Sequence, residues 1–228
     1  MNWQDEGFIL SKRKFRENAI ILEVFTNEFG KVNGIVYGGT SRKVKNYLQL
    51  TNKIFIVNNT KNENKIGYFK TELIEAVAPK YFDDKNKILC LNSVSSMLKV
   101  LLPENQKYKN IYSSLSDFFN SLDQKNWLIN YLFWEINLIT NLGFGFQSDI
   151  KSVSGSNVNN IYNFKIDNIE YKIPAFLISK DFRHISQQEL YQGLFFCRSL
   201  MENKFFNPNN LKFPKSRRLL ENKFITVN

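Results

Sequence analysis

Cysteine and histidine are scarce in this sequence. It has two cysteines, Cys90 and Cys197, and a single histidine, His184. A structural zinc site needs a cluster of such ligands, so three separated residues predict no zinc site. Each cysteine lies in an apolar stretch, which favours buried free thiols in a reducing compartment over a disulfide.

Long apolar runs are also missing. No uninterrupted run approaches the roughly 20 residues that a membrane-spanning helix requires. The first residues, MNWQDEGF, are acidic rather than apolar, unlike a secretory signal. Both features predict a cytoplasmic protein that does not bind membranes. The 228 residues, 43% of them hydrophobic, are enough for one large domain or two modest ones.

No group of residues has the spacing of a catalytic site. His184 lies near Asp181, but no serine or cysteine nucleophile accompanies it, which favours a surface or helix-capping histidine. Gly38 and Gly39 do not extend into a phosphate-binding fingerprint, because its other glycines and its Lys-Ser/Thr ending are absent. The sequence therefore predicts a protein that is not an enzyme.

Positive charge is in excess. Lysine and arginine number 31 against 21 acidic residues, a net charge of +10, which suggests a polyanionic partner. Of the 31 cations 24 are lysines, a bias that coding preference alone would also produce. The positions where cations cluster therefore carry more weight than their total.

Residues 6 to about 78 have the pattern of β-strands. In NAIILEVF the apolar residues Ile20, Leu22 and Val24 fall on one face, with the period of two that a strand requires. Five such segments are separated by short turns. Five antiparallel strands in fewer than eighty residues predict a small closed barrel, of which the OB-fold is the commonest version.

After Pro79 the pattern becomes helical. Three helices are predicted in NKILCLNSVSSMLKVLL, YKNIYSSLSDFFNSL and QKNWLINYLFWEINLITNLGFG. The third is apolar around most of its circumference, so it should be buried, with Trp127 and Trp134 in the core.

The remaining chain contains an interruption and a last long helix. The helical period is lost over about 147–175, where IYNFKIDNIEYKI predicts a small hairpin that turns at Asp167-Asn168. A helix from Ser186 to Asn203 begins with a capping serine and Glu189 three positions later. The predicted fold class is α+β with two domains: residues 1–79 form a five-stranded OB-fold barrel, and residues 80–228 form a helical domain with a small irregular or β insertion.

Three basic clusters stand out: KRKFR after the first strand, SRKVK after the third strand, and KFPKSRR near the end. Cations beside exposed aromatic residues are how OB-folds hold single-stranded nucleic acid. The Gly-Gly pair would let a main chain approach a phosphate closely. The alternative for each cluster is a solvated face. The predicted DNA-binding residues are Lys12, Arg13, Lys14, Arg16, Lys31, Tyr37, Arg42, Lys43 and Lys45. The residues predicted to contact a partner or DNA are Arg198, Lys204, Lys212, Lys215, Arg217 and Arg218.

The segment WQDEGFILSKRKFRENAIILEVFTNEFGKVNGIVYGGTSRK resembles the start of the RecO family of bacterial recombination mediators. The similarity includes Glu6-Gly7, Glu17-Asn18 and the Gly38-Gly39 pair that leads to Ser41-Arg42. It continues through LNSVSSMLKVLLPE, YLFWEINLITNLGFGF and FPKSRRLLE, and so covers nearly the whole chain.

The resemblance implies an OB-fold followed by a helical domain. It further implies that the protein associates with the nucleoid. It also implies binding of single- and double-stranded DNA without sequence specificity, and annealing of complementary strands. The implied partners are RecR, the acidic tail of the single-strand-binding protein and, indirectly, RecA recombinase, which is loaded onto the coated DNA. Arg198, Lys204 and Lys212 are candidate anchors for that tail.

Many family members bind a structural zinc through four cysteines around the insertion. Residues 147–175 of this sequence contain no cysteine, so we predict no zinc and no other cofactor. Two rival functions share the same charge and barrel: an RNA-binding or ribosome-associated OB-fold protein, and an adaptor that binds only protein.

Overall fold

The computed structural model describes residues 2–60, 66–144 and 160–225. The chain divides into two compact units, one of residues 1–112 with 214–217 and one of residues 113–213 with 218–228. The first unit thus contains the predicted barrel domain and also the helix that follows it.

The first unit is built on a closed five-stranded barrel, as predicted. Its strands are joined in the order β1-β2-β3-β5-β4. Their bounds are Trp3–Arg16 for β1, Ala19–Thr26 for β2, Gly30–Tyr37 for β3, Lys53–Asn59 for β4 and Gly67–Glu75 for β5. All neighbours are antiparallel except β3 and β5, which run parallel and pair at Gly34–Gly67 and Ile35–Tyr68. That parallel contact differs from the all-antiparallel expectation.

The barrel interior is apolar. Ile20, Leu22 and Val24, which share one face of β2, lie in a buried cluster with Ile54 and Ile56 of β4. This arrangement confirms the alternation predicted for β2. The outer face of β2 is buried as well, and helix α2 (Lys85–Leu101) packs against β1.

A short helix, α1 (Arg42–Tyr47), connects β3 to the segment before β4. Only a short turn between the strands was predicted here, so the helix corrects that expectation. Ser41 caps the helix, since its side chain accepts a hydrogen bond from the Val44 amide at 3.4 Å. Val44 and Tyr47, three positions apart, share the face that packs on the barrel core.

The second unit contains the remaining helices and a hairpin. The helical bounds are Lys109–Asn120 for α3, Trp127–Asn141 for α4, Ala175–Ser179 for α5, Gln187–Met201 for α6 and Lys215–Asn222 for α7, with a π-helical turn over Glu202–Phe206 after α6. α3 and α7 each cross from one unit to the other along the chain. Nine of the fifteen α4 residues are buried, and Trp134 is 3% exposed, so the prediction of a buried helix is confirmed, whereas Trp127 at its start is only partly buried.

The hairpin pairs β6 (Ile161–Ile166) with β7 (Ile169–Pro174). Asp167 and Asn168 form its turn with φ values of +46° and +65°, as the sequence predicted. The capping box of Ser186 and Glu189 at the start of α6 is also present. The part of the predicted insertion between residues 147 and 159 lies outside the described residues.

The scarce residues occupy ordinary places. Cys90 and Cys197 are buried free thiols, as predicted. His184 is exposed at a φ of +61°, which fits a surface histidine. In the described ranges, every helix is too short or too polar to cross a bilayer.

Candidate nucleic-acid interface

The Gly-Gly pair ends β3 for local structural reasons. Gly38 has a φ of +68°, and its amide donates a hydrogen bond of 2.6 Å to the Asn18 carbonyl in the turn between β1 and β2. A Cβ on Gly39 would lie 2.6 Å from Cγ1 of Ile20. Gly38 adopts the positive φ that the turn requires, and Gly39 allows the turn to pack closely against the barrel. This turn places the cations of α1 next to those of β1.

Two of the three basic clusters line one cavity, which we call the basic cavity. Its volume is about 330 Å³, and it is lined by Lys12, Arg13, Lys14, Ile20, Gly39, Thr40 and Lys45. β1 supplies the first three cations and α1 supplies Lys45. The structure therefore brings together clusters that are separated by about thirty residues in the sequence.

Lys12 has the most perturbed environment in the basic cavity. Its Nζ donates hydrogen bonds to the Leu48 carbonyl at 2.5 Å and to Oε1 of Gln49 at 3.3 Å. Partial burial lowers the pKa of Lys12, and the positive charge of Lys45 lowers it further. A bound anion would relieve this repulsion.

The other cations of the first two clusters are unpaired within the described part of the chain. No described carboxylate forms an ion pair with Arg13, Lys14, Lys45 or the exposed Arg42 and Lys43 of α1. Arg16 lies at the end of β1 with its guanidinium carbon 5.2 Å from the centre of the Phe15 ring. These charges face solvent, where they can approach phosphates.

A second cavity, which we call the tyrosine cavity, is also lined by residues of α1. Its volume is about 480 Å³, and its lining residues are Val36, Tyr37, Val44, Tyr47, Asn59, Tyr68, Phe69, Lys70 and Thr71. Tyr37 stacks on Tyr68 with ring centres 5.3 Å apart and planes 23° apart. Tyr37 was predicted as a site residue, whereas Tyr68 was missed. Its alternation with Lys70 on the outward face of β5 was the available signal.

Lys31 is not part of this surface. It is 7% exposed, its Nζ donates a 2.6 Å hydrogen bond to the Lys99 carbonyl, and Oε1 of Glu23 lies 3.8 Å away. Burial and these partners leave its ammonium no free approach for a phosphate. We therefore leave Lys31 out of the site.

The cations of the second predicted set have varied surroundings. Arg198 pairs with Glu221 and Glu202, Arg218 pairs with Glu202, and Lys204 pairs with Asp167. Arg217 is fully buried, so it too is left out of any surface site. Lys212 and Lys215 are exposed. Only these two combine exposure with freedom from a described carboxylate.

Two family models match the chain. The model described as "Recombination protein O N terminal" matches residues 1–77, and that described as "Recombination protein O C terminal" matches residues 83–210. Curated relatives named DNA repair protein RecO are similar to it. The protein from Roseobacter denitrificans is 32% identical over 71% of this chain and 68% of its own length. The protein from Ehrlichia chaffeensis is 32% identical over 70% of this chain and 65% of its own length.

These alignments span about two thirds of each relative's length. Among solved structures, the asparaginyl-tRNA synthetase of Entamoeba histolytica aligns over 94% of this chain and 60% of its own, with 10% identity and a TM-score of 0.31. That score is too low to indicate a shared fold.

Proposed function

Because this chain belongs to the RecO family, we propose that it acts in DNA repair as a recombination mediator that binds DNA. It would bind single- and double-stranded DNA through phosphates, anneal complementary strands and act by binding rather than by catalysis. With RecR, it would help to load RecA recombinase onto DNA coated by the single-strand-binding protein.

The basic cavity is the observation that carries the proposal. Four cations from β1 and α1 line it, and the exposed Arg42 and Lys43 lie on the same short helix as Lys45. Flexible lysines suit contact with phosphates, which fix a strand in place without reading its sequence. Annealing requires a surface that neutralises two backbones while the bases stay free to pair. Unpaired cations that face solvent meet that requirement.

The partner contacts proposed for the second unit use one exposed lysine and the largely buried Lys204. Lys212 is exposed, and Lys204 combines its pair with Asp167 with a position 5.4 Å from the centre of the Phe144 ring. An acidic peptide with a terminal aromatic residue would suit such a mixture of charge and apolar surface. Arg198 would position this surface through its pairs with Glu202 and Glu221 rather than bind the tail directly.

Titration of single-stranded DNA at several salt concentrations tests the DNA-binding proposal. Each phosphate contact that is lost should lower the slope of log affinity against log salt by about 0.7. We expect this loss for Lys14→Gln and a larger loss for the double variant Arg42→Ala/Lys43→Ala. Lys85→Gln is the matched control, because Lys85 is exposed in the same unit but lines neither cavity.

An unchanged slope and affinity in both variants would remove these residues from the site. Absence of salt-dependent binding by the unaltered chain would support the protein-only adaptor instead. Competition between DNA and RNA strands of equal length separates DNA repair from the RNA-binding alternative.

A further inference from the structure

Two large aromatic side chains lie exposed on the barrel surface. Tyr37 is 57% exposed and Tyr68 is 41% exposed, although their rings stack on each other. The pair is formed across the parallel contact of β3 and β5, because Tyr68 pairs with Ile35, two residues before Tyr37. The barrel backbone therefore fixes the positions of Tyr37 and Tyr68 and leaves much of the surface of their rings open to a ligand.

The tyrosine cavity has the composition of a site for a flat, partly polar ring. Val36 and Val44 supply apolar walls, while Asn59, Lys70 and Thr71 supply polar groups. Tyr47 is fixed at the cavity wall, since its hydroxyl donates to the Thr71 carbonyl at 2.8 Å. Lys70 is exposed at the rim. A fixed, partly apolar wall with a cation beside it suits a base that is attached to a phosphate.

The Tyr37–Tyr68 pair also lies next to the basic residues at the end of β1. Arg16 of β1 pairs with Ala19 of β2, and Ala19 pairs with Tyr37 of β3, so the three residues form a row across adjacent strands. The hydrogen bond between the Tyr37 and Tyr68 hydroxyls raises the pKa of Tyr37, whereas the positive charge of Arg16 acts in the opposite direction. This row places Arg16 on the same face of the barrel as the stacked rings, where its charge acts on the Tyr37 hydroxyl.

We propose that the tyrosine cavity binds one unpaired nucleobase, which stacks on the Tyr37–Tyr68 pair while Arg16 and Lys70 contact the neighbouring phosphates. The inference rests on the proposed DNA binding and adds a preference to it. A base inside a duplex is already stacked and cannot enter, so this cavity selects single strands. The basic cavity, in contrast, contacts phosphates of either form.

The decisive measurement compares an ordinary single-stranded oligonucleotide with one of the same length that lacks its bases, both titrated with the unaltered chain. Stacking of one base should make the ordinary strand bind about five- to a hundredfold more tightly. The double variant Tyr37→Ala/Tyr68→Ala should bind both strands equally. Its salt slope should stay at the value of the unaltered chain, because it loses no phosphate contact.

Two single variants separate ring stacking from other effects. Tyr68→Phe keeps the ring and should retain the affinity for single strands. Leu73→Ala is the matched control: Leu73 lies on the same strand with a similar exposure of 44%, but it does not line the cavity. Affinity for a blunt duplex should be equal in all of these proteins.

Equal binding of the ordinary and the base-free strand by the unaltered chain would overturn the inference, and salt-dependent binding of both would leave the proposed function standing. If the unaltered chain binds neither strand, the proposed function itself fails. The comparison needs no substitution, so a poorly folded variant does not weaken it.

Discussion

Gly39 and Ile20 lie so close together that a Cβ on Gly39 would be 2.6 Å from Cγ1 of Ile20. Because Ile20 belongs to the barrel core, Gly39→Ala must displace either the turn or the core. We expect it to lower the free energy of unfolding by about 1–3 kcal/mol, as overpacking does. Urea denaturation followed by circular dichroism measures this change.

Gly38 provides the comparison for that substitution. A Cβ at Gly38 meets nothing within 4 Å. Gly38→Ala should therefore lower the free energy of unfolding only through its φ of +68°, by about 1–2 kcal/mol. Asparagine tolerates this conformation better than alanine, so Gly38→Asn should recover part of the loss. Recovery by asparagine at Gly39 as well would contradict the packing explanation.

Lys12 and Lys45 repel each other in the basic cavity. In the folded chain the pKa of Lys12 is lowered, first by burial and then by Lys45, so the folded state holds this proton less tightly than the unfolded state. The cost to stability is present at neutral pH and is relieved as the pH rises through the folded pKa towards 10.5. Lys45→Ala should raise the pKa of Lys12.

A titration of isotope-labelled lysine resonances measures the pKa of Lys12. Lys43→Ala is the control, since Lys43 is exposed on the same helix but does not line the basic cavity. Added single-stranded DNA should raise the pKa of Lys12 in the unaltered chain, because a phosphate stabilises the ammonium. A pKa that DNA leaves unchanged would argue against phosphate at this position.

Arg198 and Arg218 both pair with Glu202 but should contribute very differently to stability. Arg198 also donates from Nε to both oxygens of Glu221, whose side chain is 5% exposed. Arg198→Ala leaves this carboxylate buried without that partner and should cost about 3–5 kcal/mol. Arg218→Ala removes a pair whose arginine side chain is 60% exposed and should cost about 0–1 kcal/mol. Thermal unfolding of the two variants gives the comparison, and equal costs would refute it.

Tyr112 makes the stability depend on pH in alkaline solution. Burial raises the pKa of its hydroxyl, and the charge of Glu6 raises it further. The folded state therefore keeps the proton above the ordinary pKa of about 10, where the unfolded state loses it. The contribution of Tyr112 to stability should be constant below that pH and fall by up to about 1.4 kcal/mol per pH unit above it.

Tyr112→Phe should abolish this share of the alkaline loss. The ring of Tyr112 packs 5.4 Å from Phe8 and 5.6 Å from Phe25, measured between ring centres, and phenylalanine keeps both contacts. Melting temperatures of the two proteins between pH 8 and about 11 make the test. Identical pH profiles would show that another group is responsible.

The barrel and the buried α4 helix could be predicted because their hydrophobic periods are long and regular. Helix α1 could not, since its six residues carry only two apolar positions, Val44 and Tyr47, that mark its buried face. The parallel pairing of Gly34 with Gly67 was equally hidden. It depends on where distant strands meet, and no short-range pattern records that position.

The sequence was sufficient to predict the clusters of cations but not the surfaces that they form in the fold. Arg13, Lys14 and Lys45 were predicted from their neighbours in sequence, and the fold places them around one cavity. Lys31 shows the limit, because its partner Lys99 is 68 positions away and the burial of its ammonium leaves no trace in the sequence around it. Tyr68 was missed because the ring on which it stacks, Tyr37, lies on another strand.

Among the described residues, the barrel closes between β3 and β5 through two residue pairs, Gly34–Gly67 and Ile35–Tyr68, whereas β2 and β3 share eight. This least-paired boundary should open first in local fluctuations, and its amides should exchange with deuterium sooner than those of β2. A nucleotide seated on Tyr37 and Tyr68 would touch both sides of the boundary at once. A bound nucleotide would therefore hold β3 and β5 together and slow deuterium exchange of the Gly67 and Tyr68 amides. The stability of the barrel would then depend on its ligand.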